Sequence, residues 1–281
     1  PGAHGGFLGV DIFFVISGFL ITGQISRLAI NQEFSLSNFY LRRGRRLLPA
    51  LFATLLVSMI IGFYVLSPHD LILLAKSVLA SQFFYSNLYF WSTAGYFSDI
   101  SQSNILLHTW SLSVEEQFYL IWPLLLLALI KGVHVGKRNS ALLLLLAASI
   151  IGSSWAAKTA PEAGFYLLPF RFHEFLMGGL AYQLGTTQQR RLNAIGSGKI
   201  AAVGSLLIVG SFFVIDDNTT FPGLMSLPPT IGIALLLLSS PPRLLSRFLT
   251  WMPLKQIGLA SYSIYLIHWP LIAFSQRTIG P

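Results

Sequence analysis

Long apolar runs separated by short polar connectors dominate the chain. They fall at 7 to 27, 47 to 66, 114 to 130, 140 to 157, 167 to 185, 200 to 215, 224 to 240 and 256 to 275. Each approaches the ~20 residues that a helix needs to cross a bilayer, so eight spans are predicted. A further run, LILLAKSVLASQFFYSNLYFW at 71 to 91, is interrupted by Lys76, Ser81, Gln82, Ser86 and Asn87. Such a stretch crosses, lies in the interface or re-enters, and the loop charges choose among these. If it does not cross, Arg27, Arg42, Arg43, Arg45 and Arg46 share one side with Lys131, Lys137, Arg138, Arg190, Arg191, Lys199, Arg243, Arg247 and Lys255. The other side then receives only Lys76 and Lys158, with Asp70, Asp99, Glu162, Asp216 and Asp217. This asymmetry follows the positive-inside rule. It places both chain ends outside the cytoplasm and makes 67 to 113 one long external, partly re-entrant segment. The expected fold is all-α: a polytopic membrane helical bundle forming a single membrane-embedded domain over 1–281.

Composition agrees. The chain has 54% hydrophobic and 10% charged residues and a mean hydropathy of +0.67, against about 25% charged in soluble domains. Its net charge of +8 is spread through short loops rather than gathered on one surface, so it reads as topological, and nucleic acid is not an expected partner. Without cysteine, disulfides and thiol catalysis are excluded. There is no HExxH pattern or phosphate-binding glycine loop, and no metal is expected. The opening PGAHGGFLGVDIFF carries neither a Met nor a basic leader, so a piece of a longer protein is expected.

Polar groups within the spans carry the candidate chemistry, because an ionisable side chain in a membrane costs at least ~2.5 kcal/mol and needs a partner, water or a function. Asp11 lies one turn inside the first span. It either snorkels or is packed, and the glycines at 5, 6 and 9 favour close approach of another element. In HTWSLSVEEQFYLIWP, from 108 to 123, Ser113 and Glu116 have capping-box spacing, while Glu115 points elsewhere on the helix. His108 and the two glutamates can exchange protons near neutral pH, with Ser111 a further candidate between them; a catalytic and a structural role both remain open. Trp110 and Trp122 suit interface anchoring. In FRFHEF, Arg171 and Glu174 share a helix face, either as a neutralising pair or as a functional one, with His173 projecting elsewhere. His268 lies inside the last span as a packing or a functional residue. His4, His69 and His134 fall in loops and are expected to be solvated. At NFYLRRGRRLLPAL, Arg42, Arg43, Arg45 and Arg46 are either topogenic charge or a phosphate grip suited to coenzyme A.

Taken together, GGFLGVDIFFVISGFLIT, FYLRRGRRLLPAL, HTWSLSVEEQFYLIWPLLL, FRFHEFLMGGLAY and IGLASYSIYLIHWPLI resemble the acyltransferase-3 family of bacterial integral-membrane O-acyltransferases, in order and over nearly the whole chain. The resemblance implies about ten membrane helices in the cytoplasmic membrane, a cytosolic acyl-CoA donor such as acetyl-CoA, and a carbohydrate acceptor in lipopolysaccharide O-antigen, peptidoglycan or exopolysaccharide. The family's arginine pair matches Arg42 with Arg45 or Arg43 with Arg46. Its aspartate matches Asp11, and its paired glutamates match Glu115 and Glu116. The family's basic histidine belongs to a helix before the GGF block that this chain does not contain. The wording of the last span is most similar to the subgroup in which an external esterase-like domain follows, here beyond Pro281. The mechanism expected from this is two-sided, with arginines holding CoA at the inner face and carboxylates meeting the sugar at the outer one. The rival readings are a transporter or flippase of sugar-linked lipids, which would use the same intramembrane charges to move substrate, and a polysaccharide polymerase.

Overall fold

The computed structural model describes residues 7–94, 104–188, 196–216, 219–239, 247 and 250–279. All eight predicted stretches fall on helices. In chain order these elements are α1 (Leu8–Ile30), α2 (Leu36–Val65), α3 (Pro68–Gln82), α4 (Ser86–Ala94), α5 (Thr109–Gly132), α6 (Val135–Thr159), α7 (Pro161–Tyr166), α8 (Leu168–Thr187), α9 (Ser197–Val214), a 3-10 turn (Gly223–Ser226), α10 (Leu227–Leu238) and α11 (Met252–Ile279). Among the described residues there is no strand. Five helices, α1, α2, α5, α6 and α11, are long and apolar enough to cross a membrane; α9 and α10 are apolar but shorter. Side chains such as Phe52, Leu56, Phe63, Leu120, Leu144, Ile151 and Leu271 are exposed. A helix apolar all round belongs in lipid, and these outward faces fit that setting.

The interrupted stretch at 71 to 91 does not form one span. It is split between α3 and α4 by Phe83–Tyr85, where Phe84 adopts a left-handed backbone (φ 55), and neither helix reaches ~20 residues. Of its polar positions Ser77, Ser81, Ser86 and Asn87 are buried, Gln82 is half-buried and Lys76 is exposed.

The chain divides into two compact units. One comprises Pro1–Phe34 and Phe118–Leu249; the other comprises Ser35–Gln117 and Thr250–Pro281. In the first unit, α1 and α8 run parallel and touch at backbone distance. A β-carbon added to Gly18 would collide with the Phe175 carbonyl, and one added to Gly178 would collide with that of Val15. The glycine-mediated approach is therefore real but centres on Gly18, about two and a half turns beyond the expected Gly9, around which there is open space; Gly5 and Gly6 lie outside the described residues. Phe175 stacks on Phe14 at 4.4 Å and on Phe118 at 4.1 Å. Trp122 is fully buried, donating its indole N–H to Thr22 Oγ1 at 2.9 Å. Trp122 is thus a core residue of this unit and not an interface anchor. Its N–H finds a partner inside, which an interfacial ring would find in water.

In the second unit, Leu51, Leu55, Leu74, Leu106, Leu112, Leu266 and Phe274 form the core. Ser113 is not an N-cap, because α5 begins at Thr109 and puts it a turn inside. Its hydroxyl instead accepts from the Ser86 amide at 3.1 Å and bonds the Ser86 hydroxyl at 2.7 Å. Thr109 bonds Ser81 and Ser86, and Gln117 pairs with Asn87. These side chains give the start of α5 and the α3–α4 hairpin a shared seam of hydrogen bonds. At the far end, Arg277 pairs with Asp70 at 3.0 Å.

Candidate active site

Two sets of predicted residues assemble, one in each unit. In the first, parallel packing of α1 and α8 brings Asp11 opposite Arg171 at 3.0 Å, while Arg171 also reaches Glu174, three residues on, at 3.3 Å. The neutralising pair expected from spacing is thus a triad. Arg171, Asp11 and Glu174 are at most 1% exposed, so Asp11 is packed and does not snorkel. Phe14, Phe165 and Phe221 surround the guanidinium, with ring centroids 5.3–5.8 Å away. His173 is equally buried. Its Nε2 sits 2.8 Å from the Ser226 hydroxyl, itself bonded to the Gly223 carbonyl, and 3.8 Å from Glu174. The His173 amide is held by Ser149 at 2.9 Å. Aromatic walls and complete burial leave the guanidinium dependent on its two carboxylates for compensation.

In the second unit, α2 brings Arg43 to 4.0 Å from Glu116. Glu116 lies two turns into α5, so the long Arg43 side chain meets it inside the helix and not at its start. The helix register also separates the four arginines. Arg43 is half-buried, stacking over Phe39 at 5.6 Å, whereas Arg42, Arg45 and Arg46 are exposed and Arg42 donates to the Asn38 carbonyl. Of the four, Arg43 is the one observed to contact a glutamate. At 4.0 Å the Arg43–Glu116 contact is an ion pair without a hydrogen bond, a class worth at most ~1 kcal/mol where water reaches it. Glu116 Oε1 is buried and makes no hydrogen bond to the described residues.

His108 and Ser111 lie at the start of α5 beside α11. The Tyr265 hydroxyl donates to the His108 carbonyl at 2.7 Å and bonds Ser111, and the His268 ring bonds the Tyr265 carbonyl. The His108 and His268 rings are 5.5 Å apart. Burial pushes the His108 imidazole down to about 3, the neighbouring His268 acting in the same direction and the Leu266 carbonyl in the other. Burial thus favours the neutral imidazole of His108 in this state. Trp110 is buried, a packing residue here and not an interface anchor. His69 and His134 are exposed, as expected, and His4 lies outside the described residues. Among the described residues no group of three or more His, Cys, Asp or Glu could hold a metal ion.

The family match spans the helices that carry both sets: the acyltransferase-3 model, described as an acyltransferase domain, covers residues 5–281. The chain belongs to this family. Among its relatives are the peptidoglycan O-acetyltransferase OatA of Listeria monocytogenes, 34% identical over 97% of this chain and 46% of that protein, and a putative peptidoglycan O-acetyltransferase of Bacillus subtilis, 32% identical over 97% of this chain and 45% of that protein. The O-acetyltransferase OatA of Staphylococcus aureus is 31% identical over 96% of this chain and 46% of its own length. The chain spans about half the length of these relatives. No solved structure matches it. In this acyltransferase domain, sequence reading missed Tyr262, whose hydroxyl donates to the Leu47 carbonyl at 3.1 Å, and Tyr265. Their three-residue spacing in SYSIY gave them a shared helix face, but two tyrosines in an apolar span look like ordinary packing. Ser226 was missed because nothing local marks it; its importance comes from His173, far away in sequence.

Proposed function

We propose that the chain is the membrane-embedded acyltransferase domain of a bacterial cytoplasmic-membrane enzyme that moves an acetyl group from acetyl-CoA to a hydroxyl of cell-wall carbohydrate. The relatives' names support acetyl as the group and peptidoglycan as the first acceptor to test. The acyl-CoA donor is supported by the residues of this chain. A short stretch of α2 offers four arginines, three exposed and the fourth beside a half-buried carboxylate whose Oε1 is enclosed and has unused hydrogen-bonding capacity. That juxtaposition carries the reading, because planar, permanently charged guanidinium groups suit phosphate and a poorly solvated carboxylate suits proton transfer.

In the proposed reaction the acceptor oxygen bonds the thioester carbonyl carbon, the carbon–sulfur bond breaks, and CoA leaves as the thiol. Glu116, with Glu115 beside it, is the group placed to hold the proton lost by the sugar hydroxyl. Asp11, Arg171 and Glu174 act as positioning residues that fix α1 against α8. The test uses the full-length protein in vesicles, with labelled acetyl-CoA supplied and peptidoglycan fragments, O-antigen or exopolysaccharide offered as acceptors. Label transferred to one glycan is expected, with at least ~100-fold loss in Glu116→Ala. Movement of a sugar-linked lipid with no covalent label would establish the flippase reading instead.

A further inference from the structure

Arg43, the one arginine of the turn that reaches inward, is held by Glu116, and this has a consequence for donor binding. Any phosphate that grips Arg43 must do so against a neighbouring carboxylate of the same sign as itself. The existing pair is loose: 4.0 Å apart, with side chains 20% and 17% exposed, and with Glu116 Oε1 receiving no hydrogen bond from the described residues. A phosphate makes shorter, bidentate, charge-assisted bonds to a guanidinium, so it out-competes a contact of this kind. Arg43 is well placed to exchange partners, because its guanidinium is steadied over the Phe39 ring while Arg42 is tied back to the Asn38 carbonyl at 3.2 Å.

We propose that the Arg43–Glu116 pair is a donor-operated latch: an acyl-CoA phosphate takes Arg43 from Glu116, and the released carboxylate becomes the group that accepts the acceptor's proton. The exchange makes and breaks only ionic contacts, so no bond or electron changes place in the latch step. Its value is order. Glu116 is neutralised by Arg43 until donor arrives, which keeps the proton acceptor masked when there is no thioester to be attacked. The inference rests on the acyl-CoA reading above and adds to it the role of one glutamate as competitor as well as proton acceptor.

The test measures binding of coenzyme A itself by the full chain in phospholipid-free micelles, together with the KM for acetyl-CoA and kcat in transfer assays. If Glu116 competes for Arg43, the neutral isostere Glu116→Gln binds CoA about three- to ten-fold more tightly than wild type and lowers KM, while kcat falls at least ~100-fold. Glu116→Asp, whose shorter arm weakens the pair but keeps the base, should tighten binding to an intermediate degree and retain more turnover, and it serves if Glu116→Gln does not fold. Arg43→Gln should bind CoA weakly, and Glu116→Gln should bring no tightening in that background. CoA binding that is unchanged or weakened in both Glu116 variants overturns the latch. Tightening that appears only toward anionic phospholipid headgroups added to the micelles, and not toward CoA, overturns it as a donor device. Failure of the wild-type protein to bind CoA at all would overturn the acyl-CoA reading itself, a result distinct from normal binding that ignores Glu116.

Discussion

Arg171 has more electrostatic work than its sequence neighbours suggest, serving two carboxylates from two helices at 3.0 and 3.3 Å in a space with almost no exposure. Removing one member of such a group leaves buried charge without compensation, which costs about 3–5 kcal/mol. Arg171→Met is accordingly expected to lower the thermal unfolding midpoint in detergent sharply, and Glu116→Gln, at a partly exposed pair, to change it little. His108 supplies a pH signature. Its folded form holds the imidazole down at about 3 through burial, below the ordinary value near 6.5. The neutral ring therefore contributes stability that is complete above about pH 6.5 and is lost as pH falls toward 3. His108→Asn should flatten the fall in stability across that window, measured by unfolding at a series of pH values; an unchanged profile would show that His108 is not a source of it. At this scale the sequence was informative about identity and silent about company. The spacing of Arg171 and Glu174 revealed half of the triad. The third member is far off in the chain, and only helix packing could supply it.

Between helices, small and hydroxylated residues set the geometry. Gly18 and Gly178 let α1 and α8 meet backbone to backbone, so a methyl on either must push helices apart. Overpacking of this kind costs about 1–3 kcal/mol, and Gly178→Ala should both reduce yield of folded protein and loosen the Asp11–Arg171 contact. The seam of Ser81, Thr109, Ser86 and Ser113 does for the second unit what the glycines do for the first. The runs of apolar residues located α1, α2, α5, α6, α8, α9, α10 and α11, because a membrane demands long uninterrupted runs that are hard to mistake, but gave no sign of α7 or of the break between α3 and α4. They misjudged the start of α5 by placing it at 114, since the TWSLS segment is polar by composition yet helical and buried, its hydroxyls bonded to other helices. The same error produced the mistaken capping box. A direct check uses the absence of native cysteine: the double variant Arg43→Cys, Glu116→Cys should be joined within one chain by a short bifunctional thiol reagent. Failure of the two positions to crosslink would contradict the Arg43–Glu116 pair.

Over the whole chain, family membership was legible from five blocks of sequence because those blocks hold the polar residues a membrane helix does not keep without cause. What stayed illegible was their grouping: a list of polar residues gives no account of which helices are neighbours, and the contacts observed are a buried charge cluster within one compact unit and an arginine–glutamate pair within the other. The cluster also constrains how the protein is made. Asp11 is synthesised near the start of this chain and Arg171 more than half the chain later, an interval on the order of ten seconds at ordinary rates of translation. During that interval α1 carries an acid with no counter-charge, in a setting where such a group costs at least ~2.5 kcal/mol. The first helix is thus expected to stay at the insertion machinery, or to lie loosely in the membrane, until α8 emerges beside it. Chains halted before residue 168 should be degraded quickly unless Asp11 is replaced by Asn.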